Sequence, residues 1–115
     1  MSLTFTVPGN PVPWQRAQSR RGQRFTAPET RRFQAKVQAH ARQARAKPLA
    51  GPVLLAVDFY RETAHACDLD NLIKTVSDAL NGIAYEDDRQ IVAILATKNV
   101  DRSCPRVMIT VSEAA

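Results

Sequence analysis

The spacing of hydrophobic residues predicts four β-strands. Every second residue is apolar over residues 3–7, 52–60 and 107–111, which is typical of strands with a buried face. The clearest of these strands places Val53, Leu55, Val57 and Phe59 on a single side. Residues 91–96 form a continuous apolar run instead, and this run predicts a strand that is buried on both faces.

A spacing of three and four predicts a first α-helix over residues 28–47. Pro28 fits the first turn, Thr26 is the candidate N-cap, and Pro48 and Gly51 end the helix. Its narrow apolar stripe consists of Phe33, Val37, Ala41 and Ala44. The opposite face is basic and suits either a nucleic-acid backbone or plain solvation.

A second helix is predicted to begin at Asp68 and to end near Gly82, which suits a left-handed residue after the last turn. Its apolar stripe consists of Leu69, Leu72, Val76, Leu80 and Ile83. The predicted order is therefore β, loop, α, β, α, β, β, with no repeat and no linker. We expect one α+β domain over residues 1–115, with a mixed sheet and two helices packed on it.

Residues 14–28 read WQRAQSRRGQRFTAP and show no helical or strand period. We therefore predict a mobile basic loop at about residues 10–27 that orders on binding. Its candidate DNA contacts are Arg16, Arg20, Arg21 and Arg24. Trp14 and Phe25 could stack on bases or could cap the core, and the pattern leaves both open.

Charge is divided unevenly between the two halves of the chain. Residues 1–51 carry ten Lys and Arg against one acid, a net charge of +9, whereas residues 52–115 carry six against ten, a net charge of −4. This division favours a half that binds a polyanion and a half that binds cations. No apolar run approaches the roughly 18–20 residues of a membrane span, so we expect a cytoplasmic protein without a membrane partner. Cys67 and Cys104 are expected to be free thiols.

Three carboxylates in the acidic half are candidate metal ligands. Asp68 and Asp70 open the second helix, and Asp88 belongs to the acidic cluster that closes the stretch. Oxygen ligands without nearby His or Cys favour Mg²⁺ or Mn²⁺, which commonly serve phosphate chemistry. Lys74 lies four residues after Asp70 and could stabilise a phosphate. The same residues also fit helix N-capping and a simple Asp70–Lys74 salt bridge, and the spacing alone leaves these alternatives open.

The stretch DLDNLIKTVSDALNGIAYEDDRQI resembles the RusA family of Holliday junction resolvases, small phage- and prophage-associated endodeoxyribonucleases. The N-terminal strand, the Pro-rich turn and the Arg-rich segment are also similar to the family, so the resemblance covers nearly the whole chain. The family pattern is a D-x-D-N-x-x-K motif, a D-A-L and a closing D-D. The matching positions are Asp68, Asp70, Asn71, Lys74, Asp78 to Leu80, Asp87 and Asp88.

The resemblance implies a Mg²⁺-dependent homodimer that nicks two opposed strands of a four-way DNA junction in recombination and repair. It assigns metal binding to Asp68, Asp70 and Asp88 and a catalytic role to Lys74. Successive residues of an extended chain point to opposite sides, so only one of Asp87 and Asp88 can easily face the metal. The resemblance implies Asp88, because the family pattern places the ligand on the second aspartate of the pair. The alternatives are a non-catalytic basic nucleic-acid-binding module and a metal-dependent nuclease for other branched DNA.

Overall fold

The computed structural model describes the backbone of residues 2–20 and 23–114 and the side chains of residues 2–15 and 27–114. In chain order the elements are β1 (Ser2–Pro8), β2 (Arg16–Arg20), β3 (Gln23–Thr26), α1 (Pro28–Gln43), β4 (Val53–Arg61), α2 (Leu69–Ala79), a 3₁₀ turn (Asp88–Gln90), β5 (Ile91–Val100) and β6 (Arg106–Glu113). Neither helix in these residues is long and apolar enough to cross a membrane.

The main sheet has four strands in the order β1-β6-β4-β5. β4 pairs with β5 in parallel, and β6 pairs with both β1 and β4 in antiparallel. α2 lies in the connection between β4 and β5, as a parallel pair requires. The predicted α+β class, the mixed sheet and the two packed helices are confirmed.

One face of this sheet packs on the helices and forms the core. The alternating residues of β1, β4 and β6 that were predicted to share a face are buried, except Leu3, which is partly buried. The buried ones form one cluster with Phe33, Val37, Leu72 and Val76 of the helices. The opposite face of the sheet, which we call the open face, carries residues such as Thr4, Thr6, Leu54 and Met108 that remain partly or fully exposed.

α1 begins at Pro28, as predicted, but its N-cap residue and its last residue differ from the prediction. Thr26 closes β3, and Ala27 is the N-cap, without a side-chain hydrogen bond. At the other end the helix stops at Gln43 because Arg45 adopts a left-handed conformation with φ of 64°. The N–H groups of Arg45 and Ala46 then donate to the carbonyls of Arg42 and Ala41, which is the Schellman arrangement. The predicted extension to residue 47 was wrong.

α2 ends close to the predicted position. Leu80 is its C-cap residue, and Gly82 has a positive φ of 76°, as predicted. The left-handed residue comes two positions after the cap, so it shapes the turn after the helix. The N–H of Gly82 donates to the carbonyl of Tyr85 at 2.7 Å and closes that turn. Both cysteines are free, as expected.

The prediction that residues 91–96 form a buried strand was wrong in one respect. The strand exists, but β5 lies at the edge of the sheet, and β4 is its one partner among the strands that the structure describes. Most of its side chains are exposed. A continuous apolar run is typical of parallel strands covered on both faces. Here α2 contacts β5 but leaves most of its side chains exposed.

The predicted basic loop contains a two-stranded antiparallel hairpin, so its interpretation as irregular chain was wrong. β2 and β3 pair Arg16 with Thr26, Ala17 with Phe25 and Arg20 with Gln23, with an irregularity between Ala17 and Arg20. Both strands are polar, so no apolar alternation could reveal them. Arg21 and Gly22 lie outside the described residues.

Candidate active site

The exposed face of α2 carries a stripe of three charged residues, Asp70, Lys74 and Asp78. They are spaced by four residues, so they follow one another along the same side of the helix. Leu72 and Val76 on the opposite side are fully buried and fix the rotation of the helix. A packed core therefore holds this charged stripe on a rigid element at the surface.

Asp68 is the N-cap residue of α2, but its carboxylate makes no capping hydrogen bond. Only its backbone carbonyl serves the helix, since it accepts from the N–H groups of Asn71 and Leu72. The alternative in which this side chain caps the helix is therefore wrong. Asp68 and Asp70 both expose their carboxylates at the start of α2.

Lys74 lies next to Asp78 instead of Asp70. Its Nζ is 3.4 Å from Oδ2 of Asp78 and 5.0 Å from the centre of the Trp14 ring. The N–H of Trp14 donates to the carbonyl of Asn71 at 2.9 Å, which ties the chain before the hairpin to α2. The alternative of an Asp70–Lys74 salt bridge is therefore wrong, and a cation–π contact helps to orient the ammonium.

Tyr85 anchors the turn that follows α2. Its ring is fully buried, and its hydroxyl donates to the carbonyl of Ser77 at 2.7 Å. Burial, together with the negative charges of Asp88 and Asp78, raises the pKa of Tyr85 well above its usual value. The phenol therefore stays protonated as a hydrogen-bond donor, and this anchor holds the turn against the last part of α2.

Asp87 and Asp88 face different surroundings. The Asp87 carboxylate accepts from the N–H of Arg89 at 2.9 Å and caps the 3₁₀ turn, and this hydrogen bond holds the pKa of Asp87 below its usual value. Asp88 is half-buried. Burial, a hydrogen bond to Asp87 and the negative charge of Asp78 raise its pKa. Asp88 therefore lies near Asp78, whose negative charge repels its carboxylate although Lys74 also lies beside Asp78.

A divalent cation would relieve that repulsion, so the oxygen donors of the site suit Mg²⁺ or Mn²⁺ in kind. The described residues contain no cluster of three or more His, Cys, Asp or Glu side chains with the geometry of a metal site. Asp70 and Asp78 are eight residues apart, about 12 Å along the helix axis. The ligand set of Asp68, Asp70 and Asp88 therefore stays a prediction.

Sequence reasoning gave Asp78 and Gln90 no role in the site. Asp78 stands four residues after Lys74, as Asp70 stands four before it, so helical spacing could have included it. Gln90 stands three residues after the N-cap residue Asp87, which is the spacing of a capping box, whereas its other partners, Leu49 and Gly51, lie far away in sequence. Its Oε1 accepts from the N–H groups of Glu86 and Asp87, and its Nε2 donates to the carbonyls of Leu49 and Gly51.

The predicted DNA contacts belong to the hairpin. Arg16 and Arg20 are on β2 and Arg24 is on β3, while Arg21 and the side chains of all four residues lie outside the described part of the chain. Their contribution to DNA binding stays a prediction. Three neighbouring bonds fix where this basic hairpin begins and ends, because Trp14 bonds to Asn71, Ala27 to Gln15, and the Thr30 hydroxyl to the Pro13 carbonyl.

An acidic helix face with an oriented lysine, beside a basic hairpin, is typical of a metal-dependent nuclease. The family described as "Endodeoxyribonuclease RusA" matches residues 8–112, from the end of β1 to the last strand. The chain belongs to the RusA family. A comparison with curated proteins gave no match.

The protein is thus an endodeoxyribonuclease of the Holliday junction resolvase class, a phosphodiester hydrolase that acts on branched DNA. Nucleases of this family depend on a divalent metal.

Proposed function

We propose that the protein is a Mg²⁺-dependent homodimer that resolves four-way junctions by cutting two opposed strands, in DNA recombination and repair in the cytoplasm. One observation carries the proposal. α2 exposes Asp70, Lys74 and Asp78 in a single stripe, with Asp88 held beside Asp78. In this proposal Asp68, Asp70 and Asp88 hold the metal, and Mn²⁺ can replace Mg²⁺.

A divalent metal in such a site polarises a phosphoryl oxygen and lowers the pKa of a bound water. The side chains of the chain itself supply position and charge. Lys74 has a partly exposed ammonium that Asp78 and Trp14 orient. When DNA is bound, this ammonium offsets the negative charge that develops on the pentacovalent phosphate, or it orients the attacking water.

Asp78 serves Lys74 as a neighbour of opposite charge. The pair is an exposed i,i+4 ion pair, which contributes only about 0.3–0.5 kcal/mol, so DNA phosphate can compete for the ammonium at little cost. Asp88 lies near Asp78, and the negative charge of Asp78 contributes to the raised pKa of Asp88. A cation between these carboxylates would neutralise that charge. Asp78 thus links the lysine and the proposed metal site on one surface.

A homodimer is proposed because resolution requires two cuts and each chain offers a single acidic stripe. A two-fold axis would present two such stripes to opposed strands of a junction that is itself nearly two-fold symmetric. The basic hairpin at residues 16–26 would bind the arms through phosphate contacts.

The test is cleavage of a labelled synthetic four-way junction with and without Mg²⁺, with products mapped on all four strands. We expect paired nicks on opposed strands that need the metal, and a loss of nicking in Asp70→Asn with junction binding kept. Glu62→Gln, an exposed acid on the loop before α2, is the matched control and should cleave normally.

Cleavage of flap, fork and linear duplex DNA is measured in parallel and identifies the class of substrate. Equal cleavage of flaps or forks would favour the nuclease for other branched DNA. Binding of the junction without cleavage at any Mg²⁺ or Mn²⁺ concentration would favour the non-catalytic module. Joint loss of binding and cleavage in Asp70→Asn would assign that residue a structural role.

A further inference from the structure

β5 concentrates the exposed hydrophobic surface of the molecule. Among the described side chains, five large apolar residues are exposed, and four of them lie on this strand. The exposed fractions are Val92 64%, Ile94 45%, Leu95 66% and Val100 50%, and the fifth residue is Met108 on β6 at 38%. Such a concentration on one element marks an interaction surface.

The apolar surface continues from β5 onto the open face of the sheet. In the parallel register, Leu54 pairs with Ala93 and Ala56 pairs with Leu95. Side chains of paired residues lie next to each other on the same face. Leu95 therefore adjoins a partly exposed apolar area on β4, and the surface is wider than one strand.

The backbone of β5 is also an open sheet edge of ten residues. Native proteins usually protect such an edge with charges or proline. Here Lys98 is the only charged residue of the strand, its amine donates to the carbonyl of Cys67 at 2.7 Å, and no proline interrupts the strand. At the opposite edge, β1 exposes the polar residues Thr4 and Thr6 and ends in Pro8.

We propose that a second copy of this chain packs antiparallel against β5, so that the two sheets join across a two-fold axis. The inference rests on the homodimer of the proposed function and names its surface. A two-fold axis at an edge strand lets each copy use the same residues, Val92, Leu95 and Val100 among them, and satisfies the free N–H and carbonyl groups of both strands.

The distribution of charge favours a second copy of this chain over DNA as the partner that binds β5. In an antiparallel pair the end of one β5 lies beside the start of the other, because the two strands run in opposite directions. The basic residues Lys98 and Arg102 of one copy thus come near the acidic residues 86–88 of its partner. DNA does not fit β5, since the strand offers one cation and adjoins that acidic cluster.

The test is the oligomeric state of the full chain, measured by sedimentation velocity over a range of concentrations. Leu95→Lys places a charge in the proposed interface and should raise the dimer dissociation constant by at least about 100-fold. Val92→Lys, at another exposed position of the strand, should have the same effect. Thr6→Lys is the matched control, since it adds the same charge to an exposed position at the opposite edge, and it should remain dimeric.

Thermal melts accompany each variant, so that a folded monomer is distinguished from an unfolded chain. A wild-type chain that is monomeric at all concentrations, or β5 variants that dimerise as tightly as Thr6→Lys, would overturn this surface. Junction cleavage is measured on the same samples. Lost cleavage with an intact dimer would contradict the proposed chemistry alone, and cleavage with an unchanged dimer in Leu95→Lys would contradict the surface alone.

Discussion

Asp87 and Asp88 show how two neighbouring residues of one type acquire different properties. Asp87 is a capping residue whose charge is satisfied by the N–H of Arg89. Asp88 has a raised pKa because it is partly buried, is hydrogen-bonded to Asp87 and lies near the negative charge of Asp78. A carboxylate that already accepts a capping hydrogen bond is a poor metal ligand. A carboxylate that is repelled by a neighbouring negative charge is stabilised when a cation binds. The environment therefore favours Asp88 as the ligand.

We expect Asp88→Asn to lower metal-dependent nicking by at least about 100-fold, since loss of a second-shell group alone already costs 10–100-fold. The same change should raise the melting temperature of the metal-free protein, because repulsion between Asp88 and Asp78 disappears. Asp87→Asn should keep a substantial fraction of activity, since Asn caps about as well as Asp. Nicking rates and thermal melts of the two variants check these predictions. If Asp87→Asn loses more nicking activity than Asp88→Asn, the metal ligand is Asp87.

Lys74 should be essential for chemistry and dispensable for metal binding. Lys74→Ala removes the ammonium from the proposed phosphate site, so cleavage should fall by orders of magnitude while Mn²⁺ binding, measured by calorimetry, persists. If the lysine only pairs with Asp78, the variant loses about 0.2–1 kcal/mol of stability and cleaves nearly normally. Asp78→Asn separates the two cases, because it breaks the ion pair and leaves the ammonium in place.

Trp14 should act as a positioning residue for Lys74. An exposed cation–π contact is worth about 0.5–1 kcal/mol, so Trp14→Ala should lower kcat by about 2–5-fold. Trp14→Phe retains an aromatic face and should recover most of the loss. Single-turnover cleavage at saturating protein separates this effect from DNA affinity. A change in affinity alone, with kcat unchanged, would instead indicate that the ring contacts DNA.

At the scale of elements, long-range side-chain bonds to the backbone hold the site together. Gln34 and Gln38 of α1 donate to the carbonyls of Thr75 and Ala79, so α1 clamps the second half of α2. Gln90 bonds four backbone groups and fixes the acidic turn to the segment after α1. The position of Asp88 relative to α2 thus depends on glutamines that have no chemical role.

Gln90→Ala should lower the free energy of unfolding by about 2–6 kcal/mol, because each of the four lost hydrogen bonds contributes about 0.5–1.5 kcal/mol. Cleavage should also fall, since the turn that carries Asp88 is released. Gln90→Glu keeps the acceptor but loses both donors, so its free energy of unfolding should lie between those of the wild type and Gln90→Ala. Arg89→Ala, an exposed neighbour, should change stability by less than about 0.5 kcal/mol. Chemical denaturation measures all three, and an effect of Gln90→Ala no larger than that of Arg89→Ala would contradict the argument.

At the scale of the molecule, the basic and the acidic half of the sequence form different parts of the surface. The basic half contains the hairpin and α1, and the acidic half contains α2 and the 3₁₀ turn. The bond between Trp14 and Asn71 joins the two halves where the hairpin meets α2. Both the hairpin and the exposed face of α1 could attract DNA, and salt dependence can tell them apart.

Replacing Arg20, Arg21 and Arg24 with Ala should weaken junction binding and flatten its salt dependence. Each lost phosphate contact reduces the log–log slope by about 0.9 on duplex arms. The matched variant replaces Arg31, Arg32 and Arg42, three exposed residues of α1, with Ala. Binding titrations at several salt concentrations compare the two. A slope that changes only in the α1 variant would move the DNA-binding surface from the hairpin to that helix.

The sequence by itself determined the elements whose period reflects burial. β1, β4, β6 and both helices follow the predicted spacing because an element that covers a core must repeat apolar residues at its own period. It also determined the family, since the motif from Asp68 to Asp88 and the match over residues 8–112 lead to the same one. The polar hairpin escaped prediction because it lacks an apolar face.

The tertiary structure alone decided which groups meet. Asp70 and Asp78 are each four residues from Lys74, and in the folded chain Lys74 forms its ion pair with Asp78. The apolar run of β5 indicates a strand, but only its pairing with β4 makes it an exposed edge. Periodicity reports the geometry of a short segment, whereas the edge position of β5 and the contact of Trp14 with Lys74 depend on residues far apart in sequence, so no local pattern contains them.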